Sequence, residues 1–160
     1  MSKIETGSIL PEFELLDQNG QLFKLQDHLG KKNLVIYFYP KDETLGCTRE
    51  ACSFRDTFSD FIDFDAEVIG ISDDGIESHR KFAKHHGLPF TLLSDPDGKV
   101  RNLFGVPRGF FGLAPGRTTY IADKKGEIVY IFNSQIDPRK HVEIALDILK
   151  KIKDKQNRIN

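Results

Sequence analysis

Apolar residues along the chain alternate between the spacing of buried strands and the spacing of amphipathic helices. Residues 33–39 are almost wholly apolar and β-prone, as expected for a strand buried on both faces. Pro40 and Gly46 then break the pattern. From Cys47 to Phe61 the apolar residues recur at helical spacing. The pattern predicts a central strand, a short loop and a helix whose first turn carries a cysteine.

The rest of the chain continues this alternation. An Asn19-Gly20 turn predicts an N-terminal hairpin. The predicted elements are hairpin strands at 13–17 and 21–25, strands at 66–72 and 90–94, helices at 78–86 and about 100–104, a second hairpin of 118–122 and 128–132, and a last helix opening at Asp137-Pro138. This order predicts an α/β fold: a central mixed β-sheet with helices on both faces. The polar tail after Lys153 is expected to fray.

Length, composition and charge narrow the function. A chain of 160 residues with 39% hydrophobic residues is expected to form one domain, residues 1–160. A net charge of −1 gives no electrostatic signature of nucleic-acid or membrane binding. No apolar run approaches the roughly 18 residues of a membrane span. Residues 1–7 lack the pattern of a signal or transit peptide, so a cytoplasmic location is expected.

Thiol chemistry is the strongest functional signal, because the only two cysteines, Cys47 and Cys52, lie together after the predicted central strand. Thiols stay reduced in the cytosol, so a close pair there indicates catalysis or metal binding. A helix N-terminus makes cysteines in its first turn more acidic than a free cysteine. Cys47 is therefore the predicted nucleophile. Cys52 is a second thiol that can attack the oxidised form of Cys47.

The spacing of the two cysteines has a mechanical consequence. Cα atoms five residues apart in an ideal helix lie roughly 8.7 Å apart and on different faces. A disulfide needs a Cα separation of about 4.4–6.8 Å. We therefore expect that a Cys47–Cys52 disulfide forms only when this part of the helix unwinds.

The motif Pro40-x-x-x-Thr44-x-x-Cys47 resembles the active-site pattern of the peroxiredoxins, and Cys52 resembles the second cysteine of their Q-type, or bacterioferritin-comigratory, subgroup. The similarity extends from Pro11 to about Leu149 and includes residues 111–120 and 130–135. It implies a thioredoxin-like fold. It also implies a monomeric enzyme, without a cofactor, that reduces hydrogen peroxide and organic hydroperoxides and is recycled by thioredoxin or a similar dithiol reductant.

The resemblance also implies roles for individual residues. Cys47 would be the peroxidatic cysteine and Cys52 the resolving cysteine. The supporting residues would be Thr44, which hydrogen-bonds the thiolate or the peroxide; Arg117, which holds the thiolate and polarises the O–O bond; Pro40, which shields the thiolate; and Glu50, which orients the arginine. Leu45 departs from the family, which usually has proline at that position, before glycine.

Three alternatives follow from the same residues. A redox sensor or thiol-dependent chaperone would use the disulfide without rapid turnover. A thiol–disulfide oxidoreductase usually carries Cys-x-x-Cys, which this chain lacks. Zinc could be bound by the two cysteines with His85-His86, although the Cys-x4-Cys spacing is wide. His28, His79 and His141 carry no partner signal and are expected on the surface.

Overall fold

A computed structural model describes residues 4–159. The strands are β1 (Glu14–Asp17), β2 (Leu22–Lys24), β3 (Asn33–Phe38), β4 (Ala66–Ser72), β5 (Thr91–Ser94), β6 (Thr118–Ala122) and β7 (Ile128–Asn133). The helices are α1 (Leu45–Asp56), α2 (Phe58–Asp63), α3 (Ile76–His86), α4 (Lys99–Phe104) and α5 (Pro138–Ile159), with one 3₁₀ turn at Leu25–Asp27. This agrees with the predicted order of strands and helices.

The seven strands form one mixed sheet in the order β2-β1-β5-β4-β3-β6-β7. Strand β3 runs parallel to β4 and antiparallel to β6, and β4 runs parallel to β5. All six residues of β3 are buried, as expected for a central strand covered on both faces. The predicted α/β fold, with parallel inner strands and antiparallel hairpins at the edges, is confirmed.

Alternate residues of β3 face two separate hydrophobic cores. Val35 and Tyr37 belong to a core that also contains residues of α1, α2, α3 and α5. Leu34, Ile36 and Phe38 belong to the opposite core, which contains residues of α4 and the N-terminal hairpin. This alternation follows from the two-residue period of a strand. It places α1, the helix that carries both cysteines, on the α5 side of the sheet.

The predicted helix bounds differ from the structure mainly around the cysteines, and α3 begins two residues earlier than predicted, at Ile76. The predicted helix from Cys47 to Phe61 begins earlier, at Leu45, and is divided into α1 and α2 at Thr57. The hydroxyl of Thr57 donates to the carbonyl of Ser53 at 2.7 Å, a local bond that competes with regular helix geometry.

The residues after Lys153, whose fraying stays a prediction, belong to α5, which continues to Ile159. The last turns are exposed, but they consist largely of lysine, glutamine and arginine, which favour helix. They also extend a helix that is already docked, so no new nucleation is needed. None of the helices within residues 4–159 has the length and apolar character needed to cross a membrane.

Candidate active site

Cys47 lies in the first turn of α1, just beyond the C-terminal end of β3. The helix is capped by Thr44, whose backbone is extended (φ −75°, ψ 154°) and whose carbonyl accepts the Thr48 N–H at 2.8 Å. The unpaired N–H groups of a helix start carry partial positive charge, which favours a thiolate over a thiol. The thiol is nevertheless enclosed, since Cys47 is only 1% exposed.

Arg117 reaches this thiol from a distant part of the chain. It directly precedes β6, and the pairing of Thr118 with Phe38 brings it beside the end of β3. Its Nη2 donates to Cys47 Sγ at 3.3 Å, and its Nη1 donates to Glu50 Oε1 at 2.6 Å. The structure therefore brings together three of the residues singled out in the sequence.

Two glycines make this approach possible. A Cβ at Gly46 would lie 3.0 Å from Arg117 Nη2, so a side chain there would crowd the guanidinium. A Cβ at Gly116 would lie 1.7 Å from the Pro107 carbonyl oxygen, which excludes every other residue from the position before Arg117. Gly46 thus permits the close approach of Arg117 to α1, and Gly116 permits the close approach of the Pro107 carbonyl to the residue before Arg117.

Glu50 is fully buried behind the arginine. Burial raises the pKa of Glu50 to about 8, and the charge of Arg117 offsets part of that effect. Its Oε2 finds no hydrogen-bond donor among the residues that the structure describes. A proton on Oε2 leaves the bond from Arg117 to Oε1 intact, so the carboxyl can change its charge near neutral pH without losing its contact to Arg117.

His141 of α5 lies on the far side of Glu50, with Nδ1 at 3.7 Å from Oε2. Burial lowers the pKa of His141 to about 4, so the ring is neutral at pH 7. Its Nε2 lies 2.8 Å from the Ser134 carbonyl and acts as the donor, which leaves Nδ1 to accept the Thr119 hydroxyl at 2.8 Å. The ring orientation is thus fixed by β6 and the end of β7.

Thr44 does not hydrogen-bond the thiol in this structure. Its hydroxyl donates to the Lys41 carbonyl at 2.8 Å, and its side chain is exposed. Pro40 is half-buried at the end of β3. Cys52 is also half-buried, both cysteines are free, and α1 is continuous between them. The structure therefore shows α1 in its folded state, in which the two cysteines are not expected to form a disulfide.

The loop between β3 and α1 is anchored to α3 by Asp42, which was not predicted. Asp42 Oδ1 accepts the Tyr39 hydroxyl at 2.6 Å, and Oδ2 accepts the Ser78 hydroxyl at 2.8 Å. Oδ2 also lies 2.7 Å from His79 Nδ1. The carboxylate of Asp42 is 2% exposed, so these contacts fix the start of the loop that carries Thr44.

Arg101 of α4 is another positioning residue that was not predicted. Its Nη2 donates to the Tyr39 carbonyl at 2.8 Å, and its Nη1 donates to the Gly116 carbonyl at 2.7 Å. These carbonyls belong to the end of β3 and to the residue before Arg117. One guanidinium therefore holds together the two segments that meet at Cys47.

The expectation that His79 and His141 lie on the surface is wrong, because both are fully buried. Helix periodicity could have indicated that both histidines are buried. His79 lies three residues before Phe82, and His141 lies four residues before Ala145, both on buried helix faces. His28 is half-buried and contacts Glu67. The His85–His86 pair lies beside Glu43 and not with the cysteines.

The family model described as the AhpC/TSA family matches residues 6–131 of this chain. Peroxiredoxin Q of wheat (Triticum aestivum), a chloroplastic protein by name, is 50% identical over 150 residues, which are 94% of this chain and 69% of the relative. Peroxiredoxin Q of Sedum lineare, also chloroplastic by name, is 49% identical over 152 residues, which are 95% of this chain and 81% of the relative.

Solved structures agree with these relatives. Peroxidoxin BcpB of Mycobacterium tuberculosis is 36% identical, with a TM-score of 0.85 over 93% of this chain and 98% of that chain. The Xanthomonas campestris bacterioferritin comigratory protein, described by its alkyl peroxide reduction activity, is 31% identical, with a TM-score of 0.79 over 87% of this chain and 90% of that chain. The thioredoxin-like peroxiredoxin fold and the Q-type resemblance are confirmed, and the chain belongs to the AhpC/TSA family as a peroxiredoxin.

Proposed function

We propose that this protein reduces hydrogen peroxide and organic hydroperoxides with Cys47 as the peroxidatic cysteine. The observation that supports the proposal most directly is the hydrogen bond from Arg117 to the Cys47 sulfur at 3.3 Å, inside a buried site at a helix N-terminus. A fixed positive charge beside the sulfur favours the thiolate. The same guanidinium can stabilise charge that develops on the leaving oxygen of the peroxide.

The first step is a displacement at oxygen. The Cys47 thiolate attacks one oxygen of the hydroperoxide, an S–O bond forms, and the O–O bond breaks. The leaving alkoxide or hydroxide takes up a proton and departs as alcohol or water. Sulfur is oxidised by two electrons to a sulfenic acid, and the peroxide is reduced by the same two electrons. Pro40 is proposed to shield this sulfur from water, and Thr44 to hydrogen-bond the bound peroxide after a side-chain rotation.

The second step is proposed to use Cys52. Its thiolate attacks the sulfenic sulfur, an S–S bond forms and the S–O bond breaks, and the leaving hydroxide takes up a proton and departs as water. Because α1 is intact between the two cysteines, residues 47–52 have to unwind first. Unwinding also breaks the bond between Arg117 and Glu50, so the proposed role of Glu50 in orienting the arginine applies to the folded helix only. Thioredoxin or a similar dithiol then reduces the disulfide and completes the cycle.

Turnover tests the proposal. Wild-type protein with thioredoxin, its reductase and NADPH should consume peroxide over many turnovers. Cys47→Ser should abolish that activity. Cys52→Ser should still form a sulfenic acid, detected with a dimedone-type probe, but should lose thioredoxin-dependent turnover. A single stoichiometric oxidation of the wild type under the same conditions would overturn the peroxidase proposal and favour the redox-sensor alternative.

Peptide mapping tests the disulfide. Trypsin cleaves after Lys41, Arg49 and Arg55, so it separates the two cysteines into different peptides. After one equivalent of peroxide, the monomer band of a non-reducing gel should yield residues 42–49 joined to residues 50–55. A dimer band with two copies of peptide 42–49 joined would contradict the intramolecular cycle.

The same cycle supports two further proposals. A resolving cysteine on the same helix needs no second subunit, so we expect a monomer, which light scattering can check. Recycling needs a reducing compartment with a dithiol donor, which supports a cytoplasmic location. Detection of the protein in fractionated cells tests the location directly.

A further inference from the structure

Two histidines and a glutamate converge on the surface beside the loop that carries Thr44. Nδ1 of His85 lies 3.0 Å from Oε1 and 3.3 Å from Oε2 of Glu43, and Nε2 of His86 lies 3.2 Å from Oε2. The two imidazole rings lie with their centroids 4.1 Å apart. Three side chains from two separate elements thus present one oxygen and two nitrogen ligand atoms within 4.8 Å of one another.

These distances match the edges of a metal polyhedron. Bonds of about 2.0–2.1 Å to zinc in a tetrahedron place neighbouring ligand atoms roughly 3.3 Å apart. The N–O separations of 3.0–3.3 Å therefore need little adjustment to accept a central ion.

We propose that Glu43, His85 and His86 form a binding site for a divalent transition-metal ion, with Zn²⁺ as the preferred ion. Two imidazoles and one carboxylate suit zinc, cobalt and nickel, whereas Mg²⁺ and Ca²⁺ require mostly oxygen ligands. His85 and Glu43 are exposed and His86 is partly exposed, so the ion can enter from solvent and keep water as further ligands.

The backbone of Glu43 supports this assignment. Its φ of 64° lies in the left-handed region, which non-glycine residues other than asparagine and aspartate seldom adopt. Such a conformation is strained for a residue with a side chain, and glycine would fit it without strain. The useful property of a glutamate at this position is its carboxylate, and that carboxylate contacts only the two histidines in the hydrogen-bond network of residues 4–159.

A second cluster of possible ligands, Asp42, Asp74 and His79, differs in kind. It is largely buried, and protein donors already bind its oxygens: the Tyr39 and Ser78 hydroxyls bind Asp42, and the Ser72 hydroxyl and the Asp42 N–H bind Asp74. That cluster serves to anchor the loop.

A metal at Glu43 would affect α1. Glu43 directly precedes Thr44, the residue that caps α1, whereas His85 and His86 end α3. An ion held by all three ties the start of α1 to α3 and stabilises the folded first turn. This consequence depends on the proposed disulfide cycle: bound Zn²⁺ should slow disulfide formation, which needs unwinding, and should leave the attack of Cys47 on peroxide unchanged.

Binding is tested with Co²⁺ in tag-free protein that carries Cys47→Ser and Cys52→Ser, so that no thiol can bind the ion. We expect one Co²⁺ per chain, with the visible absorption of a low-symmetry site, displaced by one equivalent of Zn²⁺. Glu43→Gln, His85→Ala and His86→Ala should each weaken binding by about tenfold or more, since even partners outside the ligand shell are worth roughly 10–100-fold. His28→Ala, a histidine paired with Glu67 elsewhere, is the matched control and should bind as before.

The consequence is tested in protein with both cysteines, by stopped-flow measurement of sulfenic-acid formation and of disulfide formation with and without Zn²⁺. Any zinc that binds directly to the cysteines slows both steps equally in the wild type and in His85→Ala/His86→Ala. Only the difference in zinc effect between these two proteins therefore reports on the proposed site. Slower disulfide formation in the wild type alone supports the proposal. Absence of Co²⁺ binding in the thiol-free protein overturns it and leaves the peroxidase proposal intact. Absence of turnover in metal-free protein overturns the peroxidase proposal alone.

Discussion

At the scale of single residues, one guanidinium serves two acidic partners. Nη1 of Arg117 binds Glu50 and Nη2 binds Cys47, so the two groups share one positive charge. Burial raises the pKa of Glu50 to about 8, and below that pH its carboxyl is mostly neutral. A neutral Glu50 leaves the charge of Arg117 to the thiolate.

Gly46→Ala tests how much this contact contributes. A methyl group at position 46 would lie 3.0 Å from Nη2, so the guanidinium has to move away from the sulfur. We expect the second-order rate constant for peroxide reduction to fall about fivefold, corresponding to roughly 1 kcal/mol for a weakened hydrogen bond to a charged group. Stopped-flow kinetics with peroxide in excess over protein would measure this rate constant.

Gly75→Ala is the matched control for that experiment. Gly75 is the N-cap of α3, its φ is −78°, and a Cβ there meets no atom within 4 Å. It should leave the rate constant unchanged. Alanine favours helix over glycine, so unfolding of α1 cannot explain a loss in Gly46→Ala. Equal rates in both variants would show that the Arg117–Cys47 contact does not control reactivity.

The hydroxyl of Tyr37 is buried without a hydrogen-bond partner among residues 4–159. Burial holds the pKa of Tyr37 well above 10, so the hydroxyl stays neutral. Tyr37→Phe removes an unsatisfied polar group and should raise the free energy of unfolding by about 1 kcal/mol, measured by urea denaturation. Tyr39→Phe is the opposite case, because its hydroxyl donates to Asp42, and it should lower that free energy. Destabilisation by both substitutions would contradict this reading of Tyr37.

Residues with an unusual chemistry could be predicted from the sequence, whereas residues whose role depends on burial could not. Cys47 was identifiable from its type and its position after a strand, and Arg117 from resemblance to a family. His79 and His141 were misplaced because histidine is common on surfaces, and only their helical spacing to buried residues pointed inward. Asp42 lies in a loop, where no periodicity indicates which side chains turn inward.

At the scale of elements, the proposed cycle requires an α1 that is stable enough to present Cys47 and unstable enough to unwind. Strand β3, which precedes α1, was predictable from its apolar residues. The break at Thr57 was not, because it involves a hydrogen bond from the Thr57 hydroxyl to the Ser53 carbonyl, one turn earlier. The interruption separates α1 from α2. Unwinding of the first turns of α1 can therefore occur without disturbing Phe61, which α2 buries in the core.

Leu45→Pro tests whether unwinding limits the disulfide step. Leu45 is the first residue of α1, where proline is favoured, and Thr44 before it is already extended. Proline there reduces the freedom of the unwound chain and stabilises the folded turn by about 0.4–1 kcal/mol. We expect disulfide formation to slow about two- to fivefold. Stopped-flow measurement of the decay of the sulfenic acid would give this rate.

Attack on peroxide should be unaffected in that variant, because Leu45 is 68% exposed and its side chain is not needed for the fold. Leu45→Ala is the matched control. Alanine changes the same exposed side chain without restricting φ. If Leu45→Ala slowed the disulfide step as much as Leu45→Pro, backbone stiffness would not be the cause.

At the scale of the whole molecule, the site depends on long-range pairing. Cys47 and Glu50 come from α1, Arg101 from α4, Arg117 from the start of β6 and His141 from α5. A single sequence predicts each element but not which ends of the elements meet. The antiparallel pairing of β6 with β3 decides that Arg117 lies beside Cys47. The arrangement of residues 4–159 supports the proposal of a single domain, because neither core is complete without β3.

The buried Glu50 gives the whole protein a specific dependence of stability on pH. The pKa of Glu50 is about 8 in the folded protein, against an ordinary value of 4.5. Between these values the folded state holds a proton that the unfolded state has lost. The unfolded state thus binds fewer protons, and the free energy of unfolding falls as pH rises from 4.5 to 8. Below 4.5 both states are protonated, and this contribution to stability is fully present.

Glu50→Gln isolates that contribution, because glutamine keeps the shape and cannot ionise. The difference in unfolding free energy, variant minus wild type, should increase from pH 5 to pH 9, by on the order of 5 kcal/mol at most, since one pKa unit corresponds to about 1.4 kcal/mol. Urea denaturation of both proteins at pH 5, 7 and 9 would measure this difference. Subtracting the wild-type free energy from that of the variant cancels the contribution of all other titrating carboxyls. A difference that stays constant with pH would mean that Glu50 is ionised throughout this range, with Arg117 fully compensating its burial.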